Sequence, residues 1–166
     1  MHMKHILPIL TLTTLAAAAS AQSASGLSYN RVGLTYATNG TKGYSLDASA
    51  LIGSTSNFLV EASTTIGGGT STNGTDNVSL GYVFKNVAFG SDATLSIGSN
   101  ESYGLNIRKD LGANFEANVS YARVAHVNGY AIGVAYNLTK QYQVGVEYSK
   151  ASGSSSTTDI AIRYNF

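Results

Sequence analysis

Charge is scarce in this chain, 11% of 166 residues. The charged side chains inside its alternating segments are therefore the first place to look for chemistry. Arg31, Asp47, Glu61, Arg108, Glu116, Glu147, Asp159 and Arg163 each occupy the polar parity of a run in which every second residue is mostly apolar. Guanidiniums and carboxylates gathered in a confined space have two uses. Paired and hydrogen-bonded they make an interlocking belt, and arginine suits this better than lysine because its planar fork can bond a carboxylate twice. Left hydrated, the same groups make a constriction that selects small solutes by charge. The lysines after residue 22 sit instead at turns and run ends.

Catalysis finds little material. Past the first residues the sole histidine is His126, with Asp76 or Glu101 as its possible carboxylate partners. There is no Gly-x-Ser-x-Gly elbow to present a nucleophile, and one histidine is too few for zinc. Gly67-Gly68-Gly69-Thr70 resembles a phosphate loop only in glycine content, lacking the lysine and the following helix. Asn73-Gly74-Thr75 and similar triplets are chance sequons. The chain is expected to be non-enzymatic, without cofactor or metal. Cysteine is absent, which excludes disulfides and thiol chemistry. A net charge of +1 with no basic stripe argues against nucleic acid.

The elements that must position these charges are strands. From Gly26 onward, period-2 segments of about ten residues alternate with turn clusters, and no helical period competes. The expected strands cover residues 27–37, 43–53, 57–66, 77–85, 92–98, 102–109, 114–124, 129–138, 141–149 and 157–166. One face of each is apolar, as in Val32-Leu34-Tyr36, Tyr130-Ile132-Val134-Tyr136 and Ile160-Ile162-Tyr164-Phe166. A soluble sandwich would share that alternation. The aromatics discriminate, because they gather at strand ends rather than centres. Tyr36, Tyr44, Tyr103, Tyr121, Tyr130 and Tyr148 mark one rim; Phe58, Phe84, Phe115, Tyr142 and Phe166 mark the other. Two such girdles are the pattern of side chains at two membrane interfaces. Eighteen glycines, eleven tyrosines, no tryptophan and a mean hydropathy of +0.02 suit a barrel with one lipid-facing and one polar face.

The expected fold is thus a closed antiparallel transmembrane β-barrel of ten strands, with eight as the alternative, and both termini periplasmic. Residues 1–21 read as a secretory signal peptide: a weakly basic start at Lys4, an apolar stretch to Ala18, then Ala19-Ser20-Ala21 as the cleavage site. Residues 22–166 are the barrel. Its outer loops are short, and two are Gly/Ser-rich, which counts against adhesion as the function. Lys42, Arg123 and Lys150 near the outer rim could meet lipopolysaccharide phosphates.

Gly26-Leu27-Ser28-Tyr29-Asn30-x-Val32 resembles the first strand of a family of small, about ten-stranded proteobacterial outer-membrane barrels that read G-L-S-Y-N-Y-V-E. The resemblance continues, thinly, through Ser56-Asn57-Phe58, Leu80-Gly81-Tyr82 and Leu111-Gly112-Ala113-Asn114-Phe115-Glu116. Opacity-type and OmpX-like barrels are similar more loosely. The chain departs at Arg31 and Gly33, where the family has Tyr and Glu. Members have been given a quorum-signalling role, which nothing in these residues supports. The resemblance implies outer-membrane lipid and lipopolysaccharide as surroundings. It also implies that the barrel-assembly machinery reads the aromatic last strand, Tyr164 and Phe166, as its signal. The function expected is a structural envelope barrel or a very narrow passive pore for small solutes. The alternative is a barrel that binds a host surface, lipopolysaccharide or a partner protein through its outer loops.

Overall fold

The computed structural model describes residues 26–39, 42–53, 56–68 and 76–166; the signal-peptide expectation, at residues 1–21, lies outside them. The alternating runs form ten antiparallel strands: β1 (Arg31–Ala37), β2 (Gly43–Leu51), β3 (Phe58–Gly68), β4 (Asn77–Ala88), β5 (Ser91–Gly98), β6 (Ser102–Gly112), β7 (Phe115–Val124), β8 (Val127–Asn137), β9 (Tyr142–Ala151) and β10 (Thr157–Asn165). Each pairs with the next, and β10 returns to β1 to close the barrel. The closing seam runs from Arg31 opposite Asn165 to Ala37 opposite Asp159. Because strands alternate in direction, the start of β1 and the end of β10 lie at one end, here the terminal end; the opposite end is the distal end.

Side-chain alternation then fixes what faces where. The apolar parity points outward and stays uncovered: Leu34, Ile132, Val146 and Ile162 are 47, 56, 55 and 59% exposed. The other parity points into the lumen, where Ala131, Ala135 and Ala161 are buried. The molecule is apolar on its outer wall and predominantly polar within. No helix among the described residues is long and apolar enough to cross a membrane.

The tightest turns use two residues. Ala113 and Asn114 join β6 to β7 with φ of 49° and 69°, and Ala125 and His126 join β7 to β8 with 45° and 70°. Two successive left-handed residues match the right-handed twist of the strands they connect.

The aromatics lie near both ends of the outer wall. Towards the distal end, the rings of Tyr36 and Tyr44 are 4.9 Å apart, and Tyr121 stands opposite Tyr130. Towards the terminal end, Phe58 contacts Tyr82 at 5.2 Å and Tyr82 contacts Phe84 at 4.8 Å. Phe115 meets Tyr136 at 4.9 Å, and Tyr142 meets Tyr164 at 5.4 Å. Tyr82, Tyr136 and Tyr164 thus join the rim residues named from the sequence.

The first strand differs from expectation. It starts at Arg31, not residue 27, because residues 26–30 leave the wall and enter the lumen. Leu27, Tyr29, Leu51, Leu59 and Val83 form a buried apolar cluster inside the barrel. Elsewhere strands run further than the alternation indicated: β3 to Gly68, β4 to Ala88 and β6 to Gly112. The additional turns of ladder include register shifts at the ends of β4 and β6, where strict alternation breaks and the sequence signal fades.

The wall makes a direct prediction in β8. Val134 is 48% exposed on the outer surface and Ala135 3% exposed within. Val134→Arg should lower barrel stability by roughly 2–4 kcal/mol, the cost of an arginine on a lipid face near the midplane. Urea titration in lipid vesicles, followed by the shift between folded and unfolded gel mobility, measures it. An unchanged midpoint would mean that this face does not meet hydrocarbon.

Candidate functional site: a divided lumen

Crossing the lumen near the terminal end is a septum built on residues 26–30. Leu27 and Tyr29 share the parity of the inward-facing Arg31, which is why continuing the chain past the start of β1 carries them inside. Bonds to the wall hold the segment: Ser49 Oγ donates to the Tyr29 carbonyl at 2.7 Å, the Leu51 amide to Asn30 Oδ1 at 2.9 Å, and the Phe166 amide to the Asn30 carbonyl at 3.0 Å.

The polar half of the septum satisfies its charges by direct contact. Tyr29 Oη donates to Asp92 Oδ2 at 2.8 Å, while Asp92 Oδ1 accepts the Asn86 amide at 2.8 Å. Arg108 is central. Its guanidinium lies 4.8 Å from the centre of the Tyr29 ring, its Nε pairs with Glu116 Oε1 at 2.7 Å, and its Nη1 donates to the Ser28 carbonyl at 2.9 Å. Glu116 Oε2 accepts from Gln143 Nε2 at 3.1 Å, and Gln143 Oε1 accepts from Arg163 Nη1 at 3.3 Å. Arg108 and Glu116 are about 4% exposed. A charge pair this far from water is tolerable only with close pairing and further hydrogen bonds; here Arg108 also bonds the Ser28 carbonyl and Glu116 also accepts from Gln143.

On either side of the septum lies a polar cavity. The one at the terminal end, about 380 Å³, reaches Asp110, Asn114, Glu116 and Gln143. The distal one, about 370 Å³, is lined by Arg31, Asp47, Glu61, Glu147, Asp159, Arg163 and a set of serine and threonine hydroxyls.

The charged residues singled out from the sequence therefore divide. Arg108 and Glu116 belong to the septum; the other six share the distal cavity. Only Arg108 and Glu116 come within ion-pair distance of each other, so among the described residues the charges do not form one continuous belt. Glu61 accepts from Ser79 Oγ at 3.3 Å and Glu147 from Asn118 Nδ2 at 2.8 Å, both neutral donors. Tyr29, Asp92 and Gln143, which sequence reading did not place in the site, hold the septum together. The available signal was parity: all three sit at inward positions.

His126 is exposed in the β7–β8 turn, its Nε2 3.1 Å from Glu101 Oε2 and its Nδ1 3.4 Å from Arg123 Nη2. Its described partners thus include no serine hydroxyl. No group of three His, Cys, Asp or Glu residues among those described is placed to hold a metal ion.

A closed wall that is apolar outside and polar inside defines the class by fold: the chain is a ten-stranded outer-membrane-type β-barrel. No protein-family model and no curated protein matches the sequence. Solved structures do match. The KdgM porin in complex with disordered oligogalacturonate superposes with a TM-score of 0.56 at 13% identity, over 82% of this chain and 99% of that one. The KdgM porin solved by itself gives 0.52 at 14% identity over the same shares. At such identities the likeness is one of fold.

The septum yields the second prediction. Glu116→Leu leaves Arg108 buried without its partner and should cost roughly 3–5 kcal/mol, whereas Arg108→Met with Glu116→Leu should cost much less. Chemical unfolding midpoints of these two variants and of Arg108→Met alone decide it; a loss in the double variant equal to the sum of the two single losses would show that the pair is not energetically coupled.

Proposed function

We propose that this chain is an integral barrel of the Gram-negative outer membrane, of the small proteobacterial type that residues 26–32 resemble, with a structural role in the envelope and a lumen held shut by its septum. The observation that carries this is the apolar layer joined to hydrogen-bonded charges across the lumen: Leu27 and Tyr29 packed against Leu51, Leu59 and Val83, beside the Arg108–Glu116 pair. The uncovered apolar outer wall between two aromatic rims supports membrane residence, since water would strongly disfavour it. The fold shared with the KdgM porin supports it as well. Both termini then lie on the periplasmic side and the distal cavity faces outward. Lipid surrounds the wall, lipopolysaccharide the distal rim, and the assembly machinery reads the strand carrying Tyr164 and Phe166.

A second reading, a very narrow passive pore for small solutes, is favoured by one specific observation. Polar cavities of similar size approach the septum from both sides, so displacing the septum alone would join them. Surface adhesion has less support, because the β5–β6 and β7–β8 turns at the distal end are only a few residues long.

Single-channel recording in planar bilayers separates these readings. The unmodified protein should show near-zero conductance, and Leu27→Gly with Tyr29→Gly should open a steady ohmic path. A clear conductance in the unmodified protein, unchanged by that double substitution, would refute a closed lumen.

A further inference from the structure

The distal cavity contains charges that the protein itself does not pair. Arg31 and Arg163 project into the lumen from β1 and β10, and the register sets them diagonally, Arg31 opposite Asn165 and Arg163 opposite Gly33. Diagonal neighbours stand about 7–8 Å apart, within reach of long side chains. The Nε atom of each is buried and has no hydrogen-bond partner. Neither guanidinium lies within ion-pair distance of a carboxylate among the described residues. Arg163 bonds the neutral side-chain oxygen of Gln143, which offsets no charge. Like charges side by side with no carboxylate in reach are unfavourable unless an anion comes between them, and the guanidinium edges that line the cavity, rather than the buried Nε atoms, suit a carboxylate.

The same cavity holds the opposite requirement. Glu147 and Asp159 stand directly across the β9–β10 ladder from each other, and both line one narrow recess with Arg163. Asp47 leans over Gly33, where an added Cβ would be 2.6 Å from Asp47 Oδ1. With Glu61, the carboxylates outnumber the guanidiniums in this cavity. A simple anion would satisfy the arginines but face the carboxylates, and a simple cation the reverse. A solute carrying both charges satisfies both sets. The volume of about 370 Å³ falls within the usual range for small-molecule sites. An extended dipeptide separates its charged ends by about 7 Å.

We propose that the distal cavity binds small zwitterionic solutes of dipeptide size, the carboxylate held between Arg31 and Arg163 and the ammonium against Glu147 and Asp159. This rests on the membrane-barrel reading only in requiring that the distal cavity face the outside.

The test is calorimetric titration of the refolded full chain in detergent micelles with glycylglycine, N-acetylglycine and glycinamide, which carry both charges, the negative one and the positive one. Saturable binding of glycylglycine is expected, at least about tenfold tighter than either analogue. Arg163→Gln should weaken glycylglycine by about tenfold. Glu147→Gln with Asp159→Asn should reverse the preference, so that N-acetylglycine binds more tightly than glycylglycine, an effect that mere loss of packing would not produce. Heat-modifiable gel mobility confirms that each variant is folded. Should Arg163→Gln not fold, the carboxylate double variant still decides. Absence of saturable glycylglycine binding, equal binding of the three probes, or a preference unmoved by the carboxylate substitutions would overturn the proposal. Failure of the barrel reading shows separately, as a protein missing from outer-membrane fractions.

Discussion

Closure of the sheet between β1 and β10 is the constraint on which everything else depends. In hydrocarbon an unpaired strand edge leaves amides and carbonyls without partners, each at a cost of several kcal/mol. The seam from Arg31 opposite Asn165 to Ala37 opposite Asp159 removes that edge. It also sets the parity of both partner strands at once: a shift of one residue would turn Arg31 and Arg163 onto the lipid face and Leu34 and Ile162 into the lumen. The charges of the first and last strands are thus held inside by the same ladder that closes the wall.

Closing ten strands around small luminal residues leaves space, and residues 26–30, just before β1, fill part of it. Alanine and glycine at Ala131, Gly133, Ala135, Gly145 and Ala161 keep the β8–β10 wall thin. Apolar bulk within the lumen comes instead from Leu27 and Tyr29. Because this segment joins the wall at Arg31, it needs no long excursion to reach the lumen. Bonds to Ser49, Leu51 and Phe166 tie it to β2 and to the chain's end beside β10, both paired with β1. Septum and seam therefore share neighbours, and a loosened seam would release the septum too.

The strand number, the outward face and the inward charges were legible in the sequence because a period of two is a local property of each run. The alternation in 157–166 or 129–138 needs no knowledge of partners. β1 starts later than the alternation indicates, for a physical reason. Leu27 and Tyr29 continue the alternation of a strand, and apolar side chains at such positions ordinarily belong to the wall. Their odd numbering, shared with Arg31, Gly33 and Thr35, placed them on the luminal parity; the apolar parity switches between Tyr29 and Val32. Pairing was not legible. Arg108 meets Glu116 through the short β6–β7 hairpin, whereas Tyr29 meets Asp92 across 63 residues of sequence. No local pattern indicates which of several inward carboxylates a given arginine reaches.

The two parts of the lumen answer the cost of confined charge in opposite ways, and the difference follows from what each contains. In the septum Arg108 has an aromatic face, a carboxylate and a backbone carbonyl around it, so its charge is met by atoms that fold with it. In the distal cavity the strand neighbours of Arg31 are Asn165 and Ser49, and those of Arg163 are Gly33 and Gln143, none of which carries an opposite charge. Gly33 removes a side chain between Asp47 and Arg163, yet no ion pair forms across the gap. Charges satisfied by the chain hold a structure together; charges separated by open, polar volume depend on water or solute for their compensation. That contrast is the physical ground for proposing both a closed septum, whose charges are met within the fold, and a solute site in the distal cavity, whose arginines face no carboxylate within ion-pair distance among the described residues.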